Sequence, residues 1–143
     1  MLISEYNHTV DAKGRLFIPS KWREDLGSTF VITRGQKGCL FGMSLTEWEK
    51  LAAKLALLPL TDEKAQRLHR MLSRWATDCE VDKQGRILVS QKLREFASIT
   101  SEATLVGMTN HIEIWSSEVI AHMDELENED YDDVFAQAAQ YGI

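Results

Sequence analysis

Val10-Asp11-Ala12-Lys13-Gly14-Arg15-Leu16-Phe17-Ile18-Pro19-Ser20-Lys21-Trp22-Arg23-Glu24-Asp25-Leu26 returns 71 residues later as Val81-Asp82-Lys83-Gln84-Gly85-Arg86-Ile87-Leu88-Val89-Ser90-Gln91-Lys92-Leu93-Arg94-Glu95-Phe96-Ala97. Aligned without a gap, the two stretches share Val, Asp, Gly, Arg, Lys, Arg and Glu, seven identities. Four further pairs are apolar in both copies: Leu16/Ile87, Phe17/Leu88, Ile18/Val89 and Trp22/Leu93. Each copy holds an Asp, two variable residues, then Gly-Arg before an apolar run. Such a repeat marks a duplicated structural unit, with a two-fold arrangement of the copies inside one chain. A half of about 70 residues is marginal as a folding unit. Two copies sharing one core are physically easier than two separate beads.

Working outward from the motif, residues 5–10 alternate polar with apolar or β-branched side chains, which predicts a half-buried strand. Asp11 to Gly14 reads as a tight turn, because Asp caps turns and Gly tolerates positive φ. Residues 15–18 predict a strand paired across that turn, broken by Pro19, with Ser20 opening a short helix that stops at Gly27. Strands follow at 30–33 and 39–41, around a loop at 35–38. Ser44-Leu45-Thr46-Glu47 is a capping box. Its helix carries Leu45, Trp48, Leu51, Ala52 and Leu55 on one stripe and stops near Pro59. A second helix opens at Thr61, with Ala65, Leu68, Leu72 and Trp75 on its apolar side and Lys64, Arg67, Arg70 and Arg74 opposite. The second copy follows the same plan: strand 76–81, turn 82–85, strand 86–89, helix 90–97, strands 103–106 and 111–115. A last helix from Ser116 to about Asn128 turns Val119, Ile120, Met123 and Leu126 inward. Beyond it lies a tail with Tyr131, Val134 and Phe135 scattered among acids.

The chain has 143 residues and a net charge of -6, with 44% hydrophobic and 27% charged residues, as in a soluble globular protein. No apolar run is long enough to cross a membrane, and the N-terminus lacks a secretory layout. Cys39 and Cys79 have no CxxC spacing and read as free thiols in a reducing compartment. His8, His69, His111 and His122 show no metal-ligand spacing. The net charge hides an asymmetry. All 16 Lys and Arg lie before position 113, against 13 acids there, a net of +3. Residues 113–143 hold nine acids and no Lys or Arg, and seven of those acids fall within 124–133. A mildly basic body therefore carries a strongly acidic tail. The tail is either a solvated terminus or an arm that competes with DNA for the basic face or contacts a neighbouring subunit.

The motif offers two chemistries. Gly14 and Gly85 let the chain reverse, so Arg15 and Arg86 project from the turn, beside Lys13 in one copy and Lys83 with Gln84 in the other. Arg can grip phosphate bidentately or reach guanine O6 and N7, Gln can pair with adenine, and a two-stranded ribbon fits a major groove. Alternatively Asp11 and Arg15, and Asp82 and Arg86, pair across the turn and fix its shape. A pair that holds the loop while neighbouring cations face outward satisfies both. Catalysis has little to stand on. Asp11 and Asp82 each have a cation nearby and no second acid, Ser20 and Ser90 lack a Gly-x-Ser-x-Gly context, and neither Cys has a neighbouring His. Gly35-Gln36-Lys37-Gly38 lacks the phosphate-loop pattern. Trp22, Trp48, Trp75 and Trp115 read as core rather than base-stacking platforms. The basic row at 64–74 is a solvated face or a phosphate-contacting flank.

The duplicated Asp-x-x-Gly-Arg, Pro19 after the first copy and the overall length resemble the bacterial MraZ family. The matching stretches are Glu5-Tyr6, Val10 to Leu16, Thr33-Arg34-Gly35, Cys39-Leu40-Phe41-Gly42, Cys79 to Arg86 and Glu113-Ile114-Trp115. The resemblance implies an α+β fold: two tandem swapped-hairpin repeats of AbrB/SpoVT type, forming one intramolecular pseudo-two-fold β-barrel with flanking helices. It divides the chain into a first repeat at 5–47, connecting helices at 48–75, a second repeat at 76–119, and a C-terminal helix end with the acidic tail at 120–143. It implies a non-enzymatic transcriptional regulator, mainly a repressor, in the cytoplasm and nucleoid. The partners it implies are double-stranded DNA, as short G-rich direct repeats upstream of the regulator's own cell-division and cell-wall operon, and further copies of the chain in a closed ring. No cofactor, metal, membrane or small-molecule substrate is expected. The family motif carries over onto Asp11, Gly14 and Arg15 and onto Asp82, Gly85 and Arg86; of these the resemblance implies Arg15 and Arg86 as DNA contacts, Lys13, Lys83 and Gln84 join them on side-chain chemistry, and Asp11, Gly14, Asp82 and Gly85 shape the turns. The rival reading is an AbrB-like antitoxin or protein-interaction module that holds its partner with the acidic tail.

Overall fold

Each copy of the motif supplies two short strands that cannot satisfy their own backbone, and the chain resolves this by crossing the copies. A computed structural model describes residues 1–143. The first copy folds as β1 (Glu5–Thr9), β2 (Arg15–Phe17), a 3-10 turn (Ser20–Trp22) running into α1 (Arg23–Leu26), β3 (Thr29–Arg34), β4 (Leu40–Ser44) and α2 (Leu45–Ala56). Helix α3 (Glu63–Ser73) joins the copies. The second copy gives β5 (Thr77–Glu80), β6 (Arg86–Leu88), α4 (Gln91–Phe96), β7 (Glu102–Gly107), β8 (Ile112–Ser116) and α5 (Ser117–Glu127). Residues 128–143, read from the sequence as a tail, continue as short helical turns that include α6 (Tyr131–Ala136).

Six strands form one sheet in the order β1-β7-β8-β4-β3-β5, and β2 pairs with β6 in a separate two-stranded ribbon. Only β3 with β4, and β7 with β8, pair within a copy; β1 with β7, β3 with β5, β4 with β8 and β2 with β6 all cross between copies. One isolated hairpin is marginal in water, so neither half has an independent fold. The registers obey the two-fold. Leu16 lies opposite Ile87, its counterpart in the repeat, and Phe41 lies opposite Glu113 at the centre of the sheet. The fold is thus α+β, two interlocked repeats about an internal pseudo-dyad, with β1 and β5 left as the edges of the sheet.

The core lies between sheet and ribbon. Leu16 and Ile87, on the inner face of the ribbon, are fully buried with Phe30, Ile32, Leu40, Leu105, Ile112 and Ile114. Crossing the copies also changes one sequence expectation. The strands flanking each motif turn do not pair as a ladder with each other. Val10 and Leu16 share a single bridge, and the rest of β2 is taken by β6. The reason is burial: the β2–β6 pairing brings both inner side chains to the dyad.

The helices flank this core more loosely than their stripes imply. α2 buries only Leu55, and α3 and α5 bury no residue. Leu45, Leu68 and Leu126, expected to face inward, remain 46%, 47% and 66% exposed. Four helices open on a side-chain cap: Ser44, Asp62, Ser90 and Ser116 accept the N–H of Glu47, Ala65, Leu93 and Val119. Trp22 and Trp115 are core residues, whereas Trp48 and Trp75 are half-buried and Trp75 carries Arg34 and Lys92 against its ring.

Cys39 and Cys79 are free and buried, and burial pushes both thiols up to about 12. Both therefore stay protonated and shielded at pH 8. A thiol reagent should label neither in native protein and both in denaturant. Rapid labelling of the native chain would show that this side of the core opens.

Candidate nucleic-acid interface

The two Asp-x-x-Gly-Arg turns are built by their own carboxylates. Asp11 Oδ1 accepts the backbone N–H of Lys13 at 3.0 Å and of Arg15 at 2.9 Å, and Oδ2 accepts Arg15 Nε at 2.6 Å. Asp82 repeats the pattern with the N–H groups of Gln84 and Arg86, both at 2.9 Å, and Arg86 Nε at 3.1 Å. The backbone N–H of Arg15 is the main influence holding the Asp11 carboxyl below the usual carboxylate range, and that of Arg86 does the same for Asp82. Both acids are therefore ionised at neutral pH, and both ion pairs stand. Of the two chemistries open in the sequence, the pairing across the turn is present in both copies.

That pairing does not use up the arginines. It engages Nε and leaves the outer Nη groups of Arg15 without a protein acceptor. The carboxylate fixes the plane of the guanidinium, while a third of the Arg15 side chain, 35%, faces solvent. Arg86 is more enclosed, at 21%, because its Nη1 also leans toward Asp11 Oδ2 at 3.9 Å. This last contact ties the turns together. They lie side by side at the dyad and present one surface rather than two separate tips. Lys13, Lys83 and Gln84 are exposed on it.

Two further arginines hold the turns from behind. Gly14 and Gly85 both sit at φ +84°. A Cβ at Gly14 would lie 2.7 Å from Arg94 Nε and 2.7 Å from the Val89 carbonyl, and one at Gly85 would lie 2.0 Å from Arg23 Nη2. Arg23 Nε donates to the Ile18 carbonyl at 3.1 Å and Arg94 Nε to the Val89 carbonyl at 3.0 Å. Each copy thus lays its second arginine over the glycine of the other copy. Sequence reasoning counted Arg23 and Arg94 among the identities but gave them no role, because nothing local reveals a contact across 62 to 80 residues.

Phe17 and Leu88 were also missed. They lie on the outer face of the ribbon, opposite Arg86 and Arg15 respectively, and are 43% and 59% exposed. The available signal was the period-2 alternation of Arg15-Leu16-Phe17-Ile18, which allows only one row to point inward. The surface therefore combines Lys13, Arg15, Lys83 and Arg86 with two carboxylates and two apolar side chains. Hydrogen-bond donors suit phosphate and guanine, and apolar groups suit the thymine methyl. No cluster of His, Cys, Asp or Glu suited to a metal ion lies in the chain, and no helix is long and apolar enough to cross a membrane.

Comparison with known proteins returns one family along nearly the whole chain. The family model for MraZ protein, which its description calls antitoxin-like, matches the chain twice, at residues 1–71 and 72–139. A transcriptional regulator MraZ from Lactobacillus gasseri is 46% identical over 134 residues, 94% of each chain. One from Lactobacillus delbrueckii subsp. bulgaricus is 48% identical over the same span, and one from Caldicellulosiruptor bescii is 53% identical over 116 residues, 81% of each chain.

Proposed function

The chain belongs to the MraZ family, and from that premise we propose that it is a DNA-binding transcriptional regulator, mainly a repressor, of its own cell-division and cell-wall operon. It acts in the cytoplasm at the nucleoid and is not an enzyme. The paired turns at the dyad are its reading surface for double-stranded DNA. The observation that carries this reading is the pinning of Arg15 by Asp11, which orients a guanidinium yet leaves its outer donors free.

Lys13 and Lys83 contact phosphate, Arg15 and Arg86 reach guanine, and Gln84 reads a neighbouring base. The β2–β6 ribbon enters the major groove. One subunit makes few contacts and binds weakly. A closed ring of subunits presents many copies of the surface, so successive contacts occur at high effective concentration and avidity rises about 100-fold or more. The operator is then a set of short G-rich direct repeats spaced near one helical turn, about 10 base pairs, so that successive subunits meet the same side of the duplex. Occupancy excludes polymerase from the promoter.

A gel-shift titration on the DNA upstream of the chain's own gene, with one and with several repeats, tests this. Several repeats should bind at least about 100-fold more tightly than one. Binding should also weaken steeply between 50 and 200 mM salt, by roughly a thousandfold for about six phosphate contacts. Equal affinity for one and several repeats, or a flat salt profile, would contradict the reading. Capture of a protein partner by the C-terminal segment with no DNA bound would instead favour the antitoxin-like reading.

A further inference from the structure

The outer face of the β2–β6 ribbon leaves two apolar side chains bare among the arginines. Antiparallel pairing sets Phe17 opposite Arg86 and Leu88 opposite Arg15. Alternation sends Leu16 and Ile87 into the core, both fully buried, and leaves these four side chains on one outward face. The face is a checkerboard about the pseudo-dyad, in which each arginine has an apolar side chain as its cross-strand neighbour at about 5 Å.

The subunit does not cover this pair. His8 on β1 flanks Phe17, with ring centres 6.1 Å apart, yet the Phe17 side chain stays 43% exposed beside it. The spacing matches a duplex. Arg15 and Phe17 stand two residues apart on one strand, about 6.6–6.8 Å, which is two base-pair steps of about 3.4 Å. A ribbon that sets Arg15 and Arg86 on guanine therefore sets Phe17 and Leu88 on base edges within two or three pairs of it. The major groove presents one apolar group at those edges, the C5-methyl of thymine. Guanine, adenine and cytosine present donors and acceptors there, which an apolar side chain would strip of water without replacing the hydrogen bonds.

We propose that Phe17 and Leu88 are specificity-determining residues that read thymine methyl groups in the operator, close to each guanine held by Arg15 or Arg86. This deepens the reading under Proposed function and rests on it. Hydrogen bonding selects guanine, and burial of a methyl selects thymine over cytosine beside it. The two halves are unequal. Phe17 is the larger side chain and Leu88 the smaller and more exposed, so Phe17 supplies the greater share of the discrimination.

The test is a gel-shift titration on an operator fragment with several repeats, in which deoxyuridine replaces every thymidine. This deletes the methyl groups and keeps the base pairing. Burial of one methyl is worth about fourfold in affinity. The wild-type chain should therefore bind the uracil operator at least about tenfold more weakly than the thymine operator once two or more subunits engage. The double variant Phe17→Ser with Leu88→Ser should bind the two operators equally. Both changes lie on the outer face and leave Leu16 and Ile87 in the core, and the wild-type comparison stands without any variant. Equal wild-type affinity for the two operators would overturn the proposal. The same loss on uracil in the double variant as in wild type would also overturn it, because that loss would then come from the shape of the duplex. A lower assembly mass of the double variant by light scattering, with thymine preference retained, would place the two side chains between copies of the chain instead. A wild-type chain that binds the thymine operator no more tightly than unrelated DNA would overturn the underlying reading itself.

Discussion

Arg15→Ala should abolish specific binding to promoter DNA while the assembled protein keeps its size. A bidentate arginine–guanine contact is worth about 1–3 kcal/mol, or roughly 5- to 150-fold for each contact. An assembly repeats the surface, so the loss compounds with every subunit engaged. The folded chain tolerates the change. Asp11 keeps its two backbone N–H partners, at 3.0 and 2.9 Å, and its carboxylate is partly solvated. Lys13→Ala is the matched control. It removes the proposed phosphate contact and should weaken all sequences alike, with a salt slope smaller by about one unit. Gel shift and light scattering on one preparation decide the matter. Wild-type affinity in Arg15→Ala would remove this residue from the interface.

Gly14→Ala should cost far more stability than a methyl added at an open glycine. The backbone holds φ +84°, where an L side chain costs about 1–2 kcal/mol. The new Cβ also meets Arg94 Nε and the Val89 carbonyl, both at 2.7 Å. One of those is a main-chain atom in the crossed pairing and cannot swing aside. Displacing Arg94 forfeits its 3.0 Å bond to that carbonyl, a charged hydrogen bond worth about 1.5–3 kcal/mol. The sum is a loss of about 2.5–5 kcal/mol, enough to unfold much of a marginal domain. Gly38→Ala separates the two causes, since Gly38 has φ +87° but no atom within 4 Å of a Cβ. It should lose only the backbone part, about 1–2 kcal/mol. Equal losses in urea melts of the two variants would mean that the arginine lid contributes nothing.

The repeat made the fold legible, because a motif carried twice in one chain implies two copies that must share a core. The identities at Asp11/Asp82, Gly14/Gly85 and Arg15/Arg86 located the turns, and their chemistry located the ion pairs. What stayed hidden was every consequence of crossing. Local pattern puts β2 beside β1, whereas β2 pairs with β6, 71 residues away, because that pairing buries Leu16 on Ile87. The same crossing sets Arg23 over Gly85 and Arg94 over Gly14, contacts that no window along the sequence contains. The helical stripes misled for a different reason. Periodicity reports that a face is apolar and not what covers it, so α3 and α5 looked like core elements although neither buries a residue and Leu68 and Leu126 stay exposed.

Lysine modification of the chain, alone and saturated with operator DNA, locates the interface without altering a residue. Lys13 and Lys83 are exposed at the paired turns and should lose reactivity on binding, while Lys54 on α2 keeps its own. Protection of Lys64 with Lys13 and Lys83 unchanged would place DNA on the linker helix and contradict the dyad surface.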